Sequence, residues 1–427
     1  MNFFIITIIK AALVAFILLT ALAYLQWLER KVLAHIQLRV GPRRVGPHGL
    51  LQPLADVVKL ITKEDMTPSH VNKGFYLLAP FIAVMFALIP ISVIPFGSEL
   101  KISEHNIFGF HIPAFQTPME LTDLNIGVIF ILGISGLGVY GVALAGWASN
   151  NKYALLGGLR SSAQMISYEL PMALAIATPL LVLNSLSFRQ LVNAQSGFYL
   201  GFIPKWTIFQ MPYAPFLIVA FLLFMISAFA ETNRIPFDLP EAENELVAGF
   251  HTEYGSMKFA AFFMGEYCNM VTISCVATLL FLGGWHPIFP AEYGSALIPA
   301  AVFGGFGIIS FMHAASPARP FDKYTLPVVG IVSLGLAGLF AGAALFAMAP
   351  DMVKGNDFLE LSAELSAALM PIVWFCAKVV AILFIYIWVR GTLPRFRYDQ
   401  LMSFAWTFLF PVAIVNLFIV GLIVALT

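Results

Sequence analysis

The feature that most restricts this chain is a series of apolar stretches, each close to 20 residues long and set apart by polar loops. They occupy 3–28, 75–96, 125–147, 164–183, 213–231, 257–282, 297–314, 326–349, 367–389 and 402–426. About 20 apolar residues in a helix cross a hydrocarbon core of ~30 Å, and a helix in lipid satisfies its own backbone polar groups. With 60% of 427 residues hydrophobic, too little polar residue remains to cover a soluble surface. The expected fold is therefore all-α, a polytopic helical bundle forming one integral membrane domain over residues 1–427. The first run is followed by ERKVLAHIQLR rather than a small-residue cleavage site, so it reads as a retained span and not a signal peptide.

Basic residues set the sidedness. Seventeen Lys and Arg fall in or beside the 29–74, 148–163, 232–256, 315–325 and 390–401 loops, against four on the other side, Lys101, Arg189, Lys205 and Lys354. By the positive-inside rule the first set faces the cytoplasm and both termini face outward. Within the first cytoplasmic loop, Leu50, Leu51, Leu54, Val57, Val58 and Ile61 recur at helical spacing. That segment is too short to span, so an amphipathic helix along the membrane interface is expected, in contact with lipid. The preceding GPRRVGP stiffens the backbone and lacks the GK[ST] ending of a phosphate loop. In the outer loops, residues 98–123 read as a solvated face, and Trp206 and Tyr213 as interfacial aromatics.

Several function classes drop out. A net charge of zero gives no footing for nucleic acid. Cys268, Cys275 and Cys376 all lie in apolar runs without CxxC or Cys/His spacing, so no iron–sulfur cluster, zinc or disulfide is expected in this chain, and no flavin or other metal is expected of it either. No GxSxG elbow or HExxH helix is present.

One stretch breaks the apolar pattern. Between Ala230 and Tyr267 stand Glu231, Asp238, Glu241, Glu243, Glu245, Glu253 and Glu266, in a chain with only 11% charged residues. Glu266 lies nine residues into the sixth span, roughly 13 Å deep, and Glu169 lies inside the fourth beside Pro171. A carboxylate beside hydrocarbon must be paired, hydrated or protonated, and such groups suit proton binding and release. Against this stands the plainer reading that each acid is tied to Arg234, Lys258, Arg160 or a backbone amide as structural glue. A metal site from Glu241, Glu243 and Glu245 is a weaker option, as no histidine has a fitting spacing. The cytoplasmic-side arginines are read either as headgroup contacts or as a cavity rim. Arg30, Arg39, Arg234 and Arg390 alternate there with Glu29, Asp56, Asp238 and Asp399.

Four long motifs stand in order: ERKVLAHIQLRVGP with GLLQPLADVVKLITKE, RSSAQMISYELPM, AETNRIPFDLPEAENELVAGFHTEY and WVRGTLPRFRYDQLM. They resemble the quinone-site membrane subunit of respiratory complex I, the H subunit of bacterial NADH:quinone oxidoreductase, equivalent to mitochondrial subunit 1. The resemblance covers most of 1–285 and 366–427. It implies a multi-pass protein of the bacterial inner membrane that joins the membrane arm to a soluble electron-transfer arm. Its substrate would be a quinone, ubiquinone or menaquinone, and its partners the other complex I subunits. These are soluble quinone-site and iron–sulfur subunits on the cytoplasmic side, with small and antiporter-like subunits in the membrane. Residues matching the family's quinone tunnel are Arg30, Arg39, Asp56, Arg234, Phe237 and Arg390. Its proton path falls on Glu169, Glu231, Glu241, Glu243, Glu245, Glu253 and Glu266. No residue of this chain is assigned a catalytic role in the chemical step. The family has eight spans, so the region about 290–355 reads as an inserted helical hairpin at the lipid-facing periphery. A related membrane subunit of an energy-converting hydrogenase or formate hydrogenlyase shares some motifs. A stand-alone ion transporter would need pseudo-symmetric halves, which are not seen.

Overall fold

The computed structural model describes residues 3–107, 110–238, 248–290, 294–315, 322–348 and 357–426. Ten helical segments among them are long and apolar enough to cross a membrane, one for each run read from the sequence. The first five are α1 (Phe3–Ile36), α3 (Lys73–Leu88), the broken pair α4 (Gly127–Leu137) and α5 (Val139–Ala148), α6 (Lys152–Leu183) and α8 (Ala214–Glu231). The rest are α9 (Ser256–Phe281), α10 (Leu297–Ala315), α11 (Asp322–Met348), α12 (Asp357–Thr392) and α14 (Phe410–Leu426). Short helices α2 (Gln52–Thr62), α7 (Phe188–Ala194) and α13 (Tyr398–Ser403) lie between them, and a π-helical turn joins α13 to α14.

Several helices outrun their apolar windows. α12 starts ten residues before the expected 367, because DFLELSAELS is made of good helix formers although it is too polar for hydrocarbon. Its 36 residues reach about 54 Å, so its first turns project beyond a 30 Å core. α6 likewise begins at Lys152, where the Asn151 side chain accepts from the Tyr153 amide at 3.0 Å.

The expected helical bundle is what the chain forms, and among the described residues short strands occur only in its loops. The 98–123 loop folds into two antiparallel ladders, β1 (Glu99–Ile102) with β4 (Phe115–Pro118) and β2 (His105–Ile107) with β3 (Phe110–Ile112). A third small ladder joins β5 (Phe198–Tyr199) to β6 (Ile203–Pro204). A loop of this length carries many backbone donors and acceptors, and short hairpins pair them locally. β1 and β2 rest on the projecting part of α12, which supplies the surface that an isolated hairpin lacks. Lys10 of α1 also reaches this ladder, donating to the Pro118 carbonyl at 2.8 Å. This side is called the strand end below, and the side of the 37–72 loop the basic end.

The bundle is centred on α6, which packs against α5, α8 and α14, while α9 packs against α3 and α12. Tyr168, Phe224, Met270, Phe281 and Phe375 are fully buried between these helices. Where backbones approach most closely only glycine fits: a Cβ on Gly157 would stand 2.7 Å from Gly249, and one on Gly141 2.9 Å from Ala83. Trp206 departs from its expected place. It is buried rather than an interfacial anchor, lying under Gly283 with the Lys378 ammonium 4.2 Å from its ring. Lys378 donates to the carbonyls of Leu282 (2.6 Å), Gly284 (2.9 Å) and His286 (2.7 Å). A cation here satisfies carbonyls left over at the end of α9 and complements that helix's dipole.

The α2 face carrying Leu51, Leu54, Val57, Val58 and Ile61 is exposed, as an interface helix requires. α10 and α11 pack chiefly on each other, with Gly307 against Leu334, Gly330 against Phe311 and the Phe303 and Phe340 rings stacked at 5.5 Å. α11 also touches α12, and Phe306, Met312, Ile331 and Leu339 point outward from the hairpin.

Candidate functional site

The site is organised at the basic end by the turn that leaves α8. Thr232 ends the helix, and Asn233 takes a left-handed backbone (φ 50°), a conformation asparagine tolerates better than most residues. Gln164 of α6, fully buried, pins this turn: its Nε2 lies 2.7 Å from the carbonyls of both Ala230 and Phe237. Asn233 Nδ2 in turn lies 3.3 Å from Ser161 Oγ. The turn thus presents Arg234 and Phe237 from a fixed base.

Arg234 points to Glu29 of α1, which is 4% exposed. The Arg234 Nη1 lies 3.7 Å from Glu29 Oε1, and its guanidinium stacks 4.1 Å over the Tyr267 ring. Arg390, from the end of α12, pairs with the same carboxylate oxygen, and the Tyr267 hydroxyl donates to Glu29 Oε2 at 2.7 Å. One buried carboxylate therefore joins α1, α9, α12 and the turn after α8. Phe237 takes the other side of the turn, 5.7 Å from Tyr168 and 5.6 Å from Phe396 between ring centres. The 393–397 loop closes over it through Phe396 N to Pro236 O (3.1 Å) and the Arg395–Asp238 pair (3.0 Å).

The six residues expected to line one tunnel thus fall into separate groups. Arg234 and Arg390 meet on Glu29, with Phe237 on the same turn. Arg30 and Asp56 form a second pair at 2.7 Å, supported by Gln52 and more open to solvent. The Arg39 side chain is exposed, beyond the end of α1, so it belongs to neither group. It lies in the loop leading to the basic groove at Arg43 and Arg44.

Three of the expected carboxylates gather below this cluster. Glu231, 6% exposed, lines two small cavities together with Asn269 of α9. The first, about 30 Å³, also touches Glu266, Asn233 and Phe250; the second, about 20 Å³, runs between Ser135, Met172, Phe224 and Thr272. Each is large enough for about one water molecule. Oε2 of Glu231 has no hydrogen-bond partner among the described residues. Glu169, half-buried on α6, lies within electrostatic range of Glu231 and packs on Gly136, where an added Cβ would stand 2.6 Å from its Oε1. The break between α4 and α5 falls two residues later, at Gly138.

Glu253 stands apart from both cavities. Its Oε1 accepts from Asn151 Nδ2 at 2.8 Å and lies 3.9 Å from His70, at the starts of α6 and α3. Beside it His251 is buried against the edges of Phe250, Phe259 and Phe263, and burial holds its imidazole down at about 4, below the usual 6.5. Glu241, Glu243 and Glu245 lie outside the described residues. As for the glue reading, Arg234 goes to Glu29 and Lys258 to Asp65 at 3.0 Å, while Arg160 covers the Tyr398 ring at 5.4 Å.

Sequence reasoning missed Glu29 as a hub, together with Tyr267, Gln164 and Asn269. The signal present in the sequence was polarity inside or at the rim of an apolar run. It says that such a side chain needs a partner, without saying which.

Similarity to known proteins bears directly on this arrangement. The sequence model of the NADH dehydrogenase family matches residues 9–421. The chain belongs to that family. The NADH-quinone oxidoreductase H subunit numbered 1 of Solibacter usitatus (strain Ellin6076) is 57% identical over 426 residues, covering 100% of this chain and 98% of the relative. The H subunit numbered 2 of Koribacter versatilis (strain Ellin345) is 46% identical over 434 residues (99% and 98%). The H subunit of Protochlamydia amoebophila (strain UWE25) is 42% identical over 400 residues (94% and 92%). The Solibacter alignment runs through residues 290–355, so this relative has a counterpart of the hairpin.

Proposed function

We propose that the chain is the quinone-site membrane subunit of a proton-translocating NADH:quinone oxidoreductase. It would wall the path by which quinone enters and begin the carboxylate path that couples quinone reduction to proton movement. In this reading the basic end faces the cytoplasm of a bacterial inner membrane and meets soluble subunits that deliver electrons from their iron–sulfur clusters. Small and antiporter-like membrane subunits continue the path. The substrate is ubiquinone or menaquinone, and the chain contributes no redox group of its own.

A single juxtaposition supports this best. Glu231 is the last residue of α8, three positions before Arg234 and six before Phe237, and it lines both cavities. Any rearrangement of the 232–238 turn is thereby passed to the carboxyl that stands between them. Quinone reduction consumes protons and changes charge where it occurs. Arg234, Arg390 and Glu29 form a buried polar cluster able to respond to that change, while Phe237 and Phe396 offer aromatic faces to a quinone ring. A shift in their pairing would alter the field at Glu231, and the proton balance among Glu231, Glu266 and Glu169 would follow. Linkage requires only that their proton affinity differ between quinone states.

The test is labelling of the assembled complex with a photoreactive quinone analogue. Adducts are expected in peptides containing Arg234–Phe237 and Arg390–Phe396. Adducts confined to Phe306 or Phe346 of the hairpin would overturn the assignment of the path.

A further inference from the structure

At the strand end, about 50 Å along α12 from Arg390, a second polar cluster stands apart from the residues of the proposed quinone and proton paths. Asp357, Glu360 and Glu364 recur at i, i+3 and i+7 near the start of α12, and β2 brings His105 against them. One ring nitrogen of His105, one carboxylate oxygen of Asp357 and one of Glu360 all lie within 4.8 Å of one another. We propose that this is a binding site for a divalent transition-metal ion of the zinc class. His105, Asp357 and Glu360 are the ligands, and Glu364 orients the imidazole.

His105 is the decisive residue. Its side chain is 2% exposed, with Nε2 3.0 Å from Glu364 Oε2, an oxygen that also accepts from the Ser103 amide at 2.9 Å. A carboxylate in that position accepts a hydrogen bond from Nε2–H, which leaves Nδ1 as the nitrogen with a lone pair. That Nδ1 is buried and has no hydrogen-bond partner among the described residues. A metal-ligating histidine characteristically donates its other ring N–H to a carboxylate, which fixes the tautomer and strengthens the ligand. The helix dipole accounts for Asp357 and Glu360, since acids are favoured in a first turn. It gives no reason to bury an imidazole with one nitrogen unsatisfied, and a metal ion does.

Size and ligand type agree. Bonds of about 2.0–2.2 Å in tetrahedral geometry set ligand atoms about 3.4 Å apart, so the three atoms need to close by little more than about 1 Å. Asp357 is exposed at the helix start, where its side chain can make that adjustment and solvent can fill the fourth position. Imidazole with carboxylates suits zinc better than magnesium or calcium, which prefer all-oxygen sites. The bound ion would tie the ladders of the strand end to the projecting part of α12. The sequence alone points to no metal here, because the ligands are distant in the chain and carry no local motif.

The test uses the detergent-solubilised complex, stripped with EDTA, titrated with ZnCl2 and assayed for bound zinc by elemental mass spectrometry. Wild type is compared with His105→Gln and with the pair Asp357→Asn/Glu360→Gln. Wild type should hold one more zinc per complex than either variant, or bind it at least about 10-fold more tightly. Equal zinc content and affinity in wild type and both variants overturns the site. A loss in His105→Gln alone overturns the ligand set. If His105→Gln fails to assemble, the carboxylate variant, altered at an exposed and a half-buried position, decides.

Discussion

Glu29→Gln removes the negative charge shared by Arg234 and Arg390, while keeping side-chain size and an acceptor for the Tyr267 hydroxyl. Breaking a buried ion pair from one side costs about 3–5 kcal/mol, because the remaining charge is left uncompensated. The Arg234 side chain is 7% exposed and Arg390 29%, so part of the Arg390 charge is relieved by water and the lower end applies. A loss of about 3 kcal/mol is roughly a 100-fold change in the unfolding equilibrium. The assay is unfolding by SDS in mixed micelles, followed by far-UV circular dichroism, on Glu29→Gln, Arg390→Gln and the double variant. If the carboxylate bridges the helices, the double variant should lose less than the sum of the singles by about 1–3 kcal/mol. A cost below about 1 kcal/mol for Glu29→Gln, or strict additivity, would refute the hub.

Two further outcomes follow from local geometry. Gly136→Ala places a methyl against Glu169 Oε1 and should lower quinone-coupled turnover while NADH oxidation by an artificial acceptor stays unchanged; a wild-type coupled rate would mean the position of Glu169 is immaterial. His251 titrates at about 4 when folded and at its ordinary 6.5 when unfolded, so between these values the unfolded chain takes the proton first. Stability is then full above pH 6.5 and falls by about 3 kcal/mol as pH drops towards 4. His251→Phe should flatten that part of the stability–pH profile, and an unchanged slope would exclude His251 as its source.

The parts of this molecule that are legible in sequence are those decided by local chemistry. Each span is set by its own run of apolar residues, and all ten are helices. Glu169, Glu231 and Glu266 stand out because a carboxyl inside such a run is costly wherever the run packs. What the sequence conceals is pairing at long range. Glu29 takes its meaning from residues 234, 267 and 390, which are distant in the chain, and Arg39 resembles Arg390 in composition but ends up exposed. The ladders of the strand end are hidden for the same reason: their strands are two to four residues long, and β1 and β2 rest on a helix that begins some 250 residues later. The start of α12 escapes notice because a window tuned to hydrocarbon stops where the helix becomes polar, although the backbone continues.

In the proposed coupling, Glu231 links the charged cluster at the basic end to the carboxylates inside the bundle. Its most direct test is Glu231→Gln in inverted membrane vesicles, with NADH-driven proton uptake, quinone reduction and NADH oxidation by an artificial acceptor followed together. Coupled quinone reduction and proton uptake should both fall at least about 10-fold, the effect expected of a lost proton-transfer group, while artificial-acceptor activity is unchanged. Wild-type proton uptake per NADH oxidised in this variant would contradict the account.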